Sequence, residues 1–321
     1  MRLLAAVVLG SASIIGAASV ASASDVPSPG TLSQGLTLPA FAEIDRALGF
    51  GLAPEAPAFD PKLDAPKRIV TPSGRVAYLP NGCRTASRDF NLVIHFHGAP
   101  TAMEPAFERS GIDGALGIVN LGIGSGAYET ALQYPGSFDE IVNRFTVAVR
   151  EMCPGTTSKP RRIALSGWSA GYGAVVRVLD RPRDAARVDA VLLADGLHAS
   201  IDPTNKYERH VSVDHMAPFT AFADEAVAGK KLFAITHSQI TTPYASTTET
   251  ADFLLAQEGV TRAAPNLAPP RPGMVMKSRG DAAGFHVMGF GGGDQKAHAD
   301  HLHAFGDTLL PYLKERWSTP D

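Results

Sequence analysis

The stretch RRIALSGWSAGYGAV, Arg161 to Val175, decides how the rest of the chain is interpreted. It predicts an apolar strand that ends in Gly167-Trp168-Ser169-Ala170-Gly171, followed by a helix. These five residues fit the pattern G-x-S-x-G, in which a serine occupies a sharp turn between a strand and a helix. Glycines on both sides remove Cβ atoms that would clash in such a turn. Ser169 is therefore a candidate nucleophile, and a turn whose glycines serve only packing is the alternative.

Strands and helices alternate on both sides of this stretch. Short apolar runs without a helical period predict strands at 91–100, 115–126, 161–169, 188–196, 231–238 and 284–293. Segments predicted to be helical lie at 137–153, 170–180, 218–229 and 296–310. A hairpin at 68–80 adds antiparallel strands at one edge. The predicted fold class is α/β: a mostly parallel sheet with an antiparallel edge hairpin and helices on both faces.

The chain divides into three segments. Residues 1–23 contain one basic residue, an apolar run and the small residues Ala21-Ser22-Ala23, which predicts a secretory signal peptide cut after Ala23. An N-terminal membrane anchor is the alternative. Residues 24–66 are rich in proline and predict an extended lead-in, and residues 67–321 form the α/β domain. The expected location is the periplasm or the extracellular space.

Composition excludes some classes of partner. The chain has 29 Lys and Arg residues against 32 Asp and Glu residues, for a net charge of −3. A balance without a basic excess argues against a nucleic-acid partner. No stretch after the signal peptide is apolar for long enough to cross a bilayer, so we expect no stable membrane insertion after cleavage.

Several motifs together resemble the α/β-hydrolase superfamily, over roughly Lys67 to Trp317. They are HFHGA, NLGIGSG, SGWSAGYGAV, LLADGLHAS and THSQI. The combination is similar to a group of secreted bacterial members without an agreed substrate. The resemblance implies the α/β-hydrolase fold and hydrolysis by a Ser–acid–His triad. With Ser169 as the nucleophile of such a triad, we expect no metal or organic cofactor.

The resemblance places the base after the last predicted strand. A serine hydroxyl needs a base to take its proton, and His298 is predicted at the sheet-facing start of the last helix. His301 is the next candidate, with His303, His286 and His237 behind it. These histidines could instead form a metal site with Asp294 and Asp300, although solvated histidines on a helix are commoner.

The acid should orient the histidine. Asp195 ends the strand that follows the nucleophile helix, and it keeps the order Ser, Asp, His along the chain. The more usual superfamily position, after the next strand, offers no aspartate. Glu249 is the acid nearby, and it fits equally well as a residue in the first turn of a helix. Asp195 is the predicted acid and Glu249 the alternative.

The remaining candidate site residues lie in the turn at Ser169 and in the turn that follows the predicted strand NLVIHFHG. The N–H groups of Ala170 and Ala99 are the predicted oxyanion hole, since Gly98 allows close approach of the backbone. His97 and His95 are interpreted as structural. Trp168 and Tyr172 flank the serine and are candidates for substrate binding, although packing of the turn explains them equally well.

Only two cysteines are present, Cys83 and Cys153. An oxidising compartment predicts a disulfide between them, and two buried thiols are the alternative. By the resemblance, both lie at the amino end of the sheet, where a bridge would be a structural crosslink.

The sequence therefore predicts a secreted serine hydrolase, most simply a carboxylic-ester hydrolase acting on a small-molecule or lipid ester. A serine peptidase or an acyltransferase on the same fold is one alternative, because the triad does not determine the acceptor. A non-catalytic binding module is another alternative, favoured by the missing aspartate after the predicted strand at 231–238.

Overall fold

The computed structural model describes residues 60–204, 208–265 and 268–318. The predicted signal peptide and most of the predicted lead-in lie outside these residues. Within the described ranges, no helix has both the length and the apolar character needed to cross a bilayer.

Nine strands of the described residues form one sheet in the order β1-β2-β4-β3-β5-β6-β7-β9-β8. Their bounds are β1 Lys67–Val70, β2 Val76–Leu79, β3 Phe90–Phe96, β4 Ala115–Val119, β5 Pro160–Trp168, β6 Val188–Ala194, β7 Leu232–His237, β8 Met276–Ala282 and β9 Phe285–Phe290. The central strands run parallel to one another; in sheet order they are β4, β3, β5, β6, β7 and β9. Antiparallel pairs close both edges.

Helices lie before, between and after the strands. Their bounds are α1 Pro61–Asp64, α2 Pro100–Ser110, α3 Ser125–Ala131, α4 Ser137–Met152, α5 Tyr172–Leu179, α6 Pro182–Ala185, α7 Val213–Val227, α8 Thr247–Gln257, α9 Gln295–His303, α10 Phe305–Thr308 and α11 Leu310–Ser318. Short 3₁₀ segments lie at Gly82–Ser87 and Ser169–Gly171.

The sheet is buried on both faces because successive side chains of a strand point in opposite directions. In β3, Leu92 and Ile94 belong to one apolar core, and Val93 belongs to the other. Helices α4, α5, α7 and α8 contribute to the first core, and α2 with α9–α11 contribute to the second. This arrangement confirms the predicted fold class.

The antiparallel edge next to β9 was not predicted. Strand β8 has the sequence MKSRGDA, which is too polar to stand out as a buried strand. It pairs with β9 and completes the sheet. The predicted closing helix is also interrupted, since α9, α10 and α11 replace one continuous element.

Cys83 and Cys153 form a disulfide with a sulfur–sulfur distance of 2.06 Å. Cys83 lies in the 3₁₀ segment before β3, and Cys153 follows α4 before β5. Because β3 and β5 are neighbours and parallel, the bridge crosslinks the amino ends of two central strands. Catalytic side chains of parallel sheets lie at the opposite, carboxyl edge.

Candidate active site

Ser169 occupies a strained turn at the carboxyl end of β5. Its φ angle is +49°, a left-handed value that is unusual for a residue with a side chain. The strand ends at Trp168, and the 3₁₀ segment that begins at Ser169 leads directly into α5. Strain of this kind persists only where the surroundings impose it, and it is concentrated at functional sites.

The glycines around Ser169 make the turn possible. A Cβ atom on Gly171 would lie 2.2 Å from the carbonyl oxygen of Phe96 in β3, and one on Gly196 would lie 2.7 Å from the Ser169 nitrogen. A Cβ on Gly167 would meet the backbone of Gly171 at 3.2 Å. Residues 167–171 are therefore packed against the adjacent backbone, and no larger side chain fits at Gly171.

Asp195 lies at the corresponding position of the next strand, directly after the end of β6. It also has a left-handed backbone, with φ +41°, and it is 1% exposed. Its Oδ1 accepts hydrogen bonds from the Ser238 N–H at 2.8 Å and the Thr247 hydroxyl at 2.6 Å. Its Oδ2 lies 2.7 Å from Nδ1 of His298.

Opposing effects set the pKa of Asp195. Burial raises it, but the hydrogen bonds from His298 and Thr247 and the nearby imidazoles outweigh burial. The net effect holds the pKa well below its ordinary value. Asp195 is thus a buried carboxylate that stays ionised, which is what an acid that stabilises an imidazolium must be.

His298 is held by backbone and side-chain contacts at the start of α9. Asp294 caps this helix by accepting from the Ala297 N–H, and the Asp294 carbonyl accepts from the His298 N–H. The Asp195 carboxylate can only accept, so Nδ1 of His298 carries a proton. In the neutral ring, Nε2 is then left with a lone pair that can take a proton.

Two adjacent cavities meet at Ser169. The smaller, of about 220 Å³, is lined by Ser169, Asp195 and His298 together with residues of the 238–247 loop. The larger, of about 510 Å³, is lined by Ser169, Ala170 and Tyr172 together with residues of the loops after β4 and β6. The structure therefore brings the predicted nucleophile, acid and base to one cavity at the carboxyl edge.

Trp168 and Tyr172 have different surroundings. The Trp168 ring packs against the rings of His97 and His298, at centroid distances of 5.2 and 4.7 Å. Its Nε1–H donates to the backbone oxygen of His298 at 2.9 Å, which makes Trp168 a support for His298. Tyr172 lines the larger cavity, and its hydroxyl donates to Ser125 Oγ at 3.4 Å.

The turn after β3 carries the second predicted oxyanion donor. His97 has φ +61°, and the backbone N–H groups of His97 and Gly98 donate to Val119 O and Asn120 Oδ1. Asn120 also donates to Gly98 O at 2.9 Å, which fixes the turn. Ala99 is exposed and precedes α2. Its N–H is the next donor along this turn after two that are already occupied.

Buried histidines surround the site without lining the 220 Å³ cavity. Burial lowers the pKa of His301 and of His237 to about 4. Nδ1 of His301 lies 2.7 Å from the Thr236 hydroxyl, and that of His237 lies 3.0 Å from the Thr248 hydroxyl. His303 is exposed, and His286 pairs with Asp281. Of the histidines proposed as the base, His298 contacts Asp195.

The competing acidic residues have other partners. Glu249 closes a capping box at the start of α8, accepting from the Ser246 N–H, and it pairs with Arg209. Asp300 pairs with Lys296, and Asp294 caps α9. In the described residues, no group of three or more His, Cys, Asp or Glu side chains is arranged to hold a metal.

Sequence reasoning missed several residues of the site. Thr247 and Ser238 hold Asp195, and Tyr128 holds the loop after β4 by accepting from the Leu121 N–H. Ser238 lies in the motif THSQI, which did not indicate a bond to Asp195, and Thr247 and Tyr128 lie in no recognisable motif. The capping box around Glu249 was recognisable, because Ser246 and Glu249 have the spacing S-x-x-E.

Comparisons with known proteins add little to this geometry. No protein-family model matches the chain, and no curated protein matches its sequence. It is similar to an S-formylglutathione hydrolase structure from Agrobacterium tumefaciens, with 12% identity and TM-score 0.43, over 78% of this chain and 94% of that one. It is also similar to an arylesterase structure, with 13% identity and TM-score 0.41, over 88% and 94%. Likenesses of this strength do not decide an activity.

Proposed function

We propose that the chain is a secreted serine hydrolase that cleaves carboxylic esters through an acyl-enzyme on Ser169. The observation that carries the proposal is the Asp195–His298 hydrogen bond of 2.7 Å beside the strained Ser169, in one cavity. A strained serine, an ordered imidazole and a buried carboxylate form the set that acyl transfer needs.

The first half of the reaction forms the acyl-enzyme. Ser169 Oγ bonds to the ester carbonyl carbon while its proton passes to Nε2 of His298. The carbonyl oxygen becomes an oxyanion that the N–H groups of Ala170 and Ala99 stabilise. The carbon–alkoxide bond then breaks, and the leaving oxygen takes the proton from Nε2. Asp195 remains ionised and stabilises the imidazolium between these two transfers.

The second half releases the acid. A water molecule bonds to the acyl carbon and gives a proton to Nε2 of His298. The bond between Ser169 Oγ and the acyl carbon breaks, and Oγ takes that proton back. The products are an alcohol and a carboxylic acid, and the enzyme returns to its starting state without a cofactor.

Secretion is the second part of the proposal. Residues 1–23 have the composition of a cleaved signal peptide, and the disulfide between Cys83 and Cys153 suits an oxidising compartment. Expression with the native N-terminus, followed by N-terminal sequencing of the exported protein, tests this part. A mature protein beginning at Ser24 is the expected result, and a chain that stays uncleaved in the cell would contradict it.

The activity is tested by turnover of simple esters. Protein lacking residues 1–23 is assayed with methyl butanoate and phenyl acetate in a pH-stat, beside Ser169→Ala as the matched variant. We expect turnover by the wild type and turnover near background in the variant, whose far-UV circular dichroism is unchanged. Equal turnover by both proteins would contradict a role for Ser169.

A further inference from the structure

The larger cavity at Ser169 has a polar wall that the reaction above does not use. It is lined by Ser125, Glu129, Tyr172, His198, Ser200 and His215, among other residues. A pocket for a long aliphatic acyl chain would instead be walled mainly by apolar side chains. This wall indicates a ligand group that forms hydrogen bonds.

His198 lines both cavities and carries a hydrogen-bond acceptor. Its Nδ1 lies 3.3 Å from the carbonyl oxygen of Ala245. A carbonyl only accepts, so Nδ1 carries the proton. Burial lowers the pKa of His198, which keeps the ring neutral at pH 7. Nε2 therefore holds a lone pair, and it has no hydrogen-bond partner among the described residues.

His215 lines only the larger of the two cavities and carries a hydrogen-bond donor. The backbone N–H of Ser200 donates to its Nδ1 at 3.0 Å. A backbone N–H only donates, so this nitrogen is unprotonated and the ring proton lies on Nε2. No residue in the described part of the chain accepts from that Nε2–H.

One short segment positions both rings. His198 belongs to it, and Ser200, two residues later, holds His215. Between them, Ala199 forms a β-bridge with Ala245, whose oxygen holds His198. Hydrogen bonds to backbone atoms therefore fix both imidazole rings. Nε2 of His198 is left as an acceptor, and Nε2 of His215 is left as a donor.

The proposed reaction assigns the two cavities to the two parts of an ester. His298 must reach the leaving oxygen to give it a proton, and His298 lines only the smaller cavity. Ala170, whose N–H would bind the carbonyl oxygen, lines only the larger one. We therefore expect the alcohol part in the smaller cavity and the acyl part in the larger.

We propose that the substrate is an ester of a small alcohol with a hydroxyl-bearing acid, whose hydroxyl group binds between His198 and His215. A hydroxyl donates to Nε2 of His198 and accepts from the Nε2–H of His215. An ammonium group only donates and a carboxylate only accepts, so neither satisfies both nitrogens. This inference rests on the ester hydrolysis proposed above and names its acyl specificity.

The test compares methyl 2-, 3- and 4-hydroxybutanoate with methyl butanoate. We expect kcat/KM for at least one hydroxy ester to exceed that for methyl butanoate by roughly tenfold, the combined effect of two neutral hydrogen bonds. Equal values of kcat/KM for all four esters would overturn the inference while leaving the hydrolase proposal intact.

Two pairs of variants test the assigned nitrogens. In His215→Asn the new carbonyl oxygen can still accept from Ser200, but the distant donor is lost, whereas His215→Gln places a donor near the original Nε2. In the same way, His198→Asn keeps a donor for Ala245 and loses the distant acceptor, and His198→Gln supplies it. The hydroxy-ester preference is the ratio of kcat/KM for the preferred hydroxy ester to kcat/KM for methyl butanoate. The Asn variants should reduce this ratio toward one, and the Gln variants should restore part of it.

His303→Asn is the matched control, because His303 is exposed and lines neither cavity. Its preference should equal that of the wild type. A preference that survives in both Asn variants would overturn the inference. Labelling of Ser169 by a fluorophosphonate without turnover of any of the four esters would overturn this inference and the ester specificity proposed above, while keeping Ser169 as an activated nucleophile. Failure of both labelling and turnover would overturn the proposed function as well.

Discussion

Nδ1 of His298 and Oδ2 of Asp195 lie 2.7 Å apart, although 103 residues separate them along the chain. An element boundary fixes the place of each residue: Asp195 directly follows the last residue of β6, and His298 lies in the first turn of α9. Asp195 is buried and His298 retains a side-chain exposure of 23%. A buried carboxylate therefore holds a histidine that substrate and water can still reach.

Replacing Asp195 with asparagine should greatly reduce turnover without unfolding the protein. An amide in this place can donate to Nδ1 and so favours the tautomer with the proton on Nε2, which cannot act as a base. We expect kcat for an ester to fall by roughly 10³–10⁴-fold, measured by steady-state kinetics on a sample with native circular dichroism.

Glu249→Gln is the matched control for that variant, because Glu249 is the other acid considered for the triad. Glutamine can keep the capping box by accepting from the Ser246 N–H, so stability should fall by at most about 1 kcal/mol through loss of the ion pair with Arg209. The kcat should stay close to the wild-type value. A large loss of kcat in Glu249→Gln with little loss in Asp195→Asn would assign the acid to Glu249.

Gly171→Ala tests the packing of the turn at residues 167–171, which contains Ser169. Its φ is an ordinary −59°, so the added Cβ brings no backbone penalty, only the contact at 2.2 Å with Phe96 O. We expect a loss of about 1–3 kcal/mol in the free energy of unfolding and reduced kcat, because Ser169 must move with the turn. Urea denaturation and ester kinetics measure the two effects.

The control for this substitution is Gly126→Ala in α3. Nothing lies within 4 Å of a Cβ there, and alanine suits a helix better than glycine. Stability should rise by about 0.5–1 kcal/mol. Equal stability changes in the two alanine variants would show that the contact with Phe96 does not constrain the turn.

How far such features could be predicted depends on whether their cause is local. The turn at Ser169 is encoded within five residues, and its strand and helix lie directly beside it, so the motif predicted the conformation. The pairing of Asp195 with His298 depends on two distant segments. It followed from the order of residues along the chain and from the resemblance, not from any local pattern.

The features that were missed depend on tertiary contacts. Thr247 and Ser238 bind Asp195 through one hydroxyl and one backbone N–H, and neither residue type in a loop distinguishes such a role. Strand β8 carries polar side chains because it is at an edge, and hydrogen bonds to β9 rather than apolar burial define it. His198 and His215 acquire opposite hydrogen-bonding roles only from the backbone atoms that they meet.

Buried histidines should make the fold sensitive to acid. Burial lowers the pKa of His95 to about 3 and the pKa values of His237 and His301 to about 4. Unfolded histidine titrates near pH 6.5, so the unfolded state binds more protons as pH falls below that value. The free energy of unfolding should drop between pH 6.5 and 4 by about 1.4 kcal/mol per pH unit for each histidine.

Removing one of these histidines should reduce the slope of the unfolding free energy against pH by about 1.4 kcal/mol per pH unit, because the unfolded state then takes up one proton fewer. Urea denaturation at pH 7, 6 and 5 measures it in the wild type and in His95→Asn, whose amide can keep the hydrogen bond to Ser166. His237→Asn serves if His95→Asn does not fold. A slope unchanged by either substitution would mean that these rings are already protonated in the folded protein.

The disulfide should stabilise the fold without affecting the chemistry. The bridge joins residues 70 positions apart at the amino edge of the sheet. Cys83→Ala combined with Cys153→Ala should lower the free energy of unfolding by about 2–4 kcal/mol. Ester turnover at 25 °C should stay near the wild-type value in protein that remains folded. A loss of kcat in the folded double variant would contradict a purely structural role.

Labelling with a fluorophosphonate tests the central claim most directly, because the reagent modifies only a serine that a base has activated. Protein lacking residues 1–23 is treated at pH 7.5 beside its Ser169→Ala and Asp195→Asn variants, and the adduct is located by mass spectrometry of peptides. We expect one adduct on Ser169 in the wild type, none in Ser169→Ala and much slower labelling in Asp195→Asn. A folded wild-type protein that remains unlabelled, or that is labelled at another serine, would contradict it.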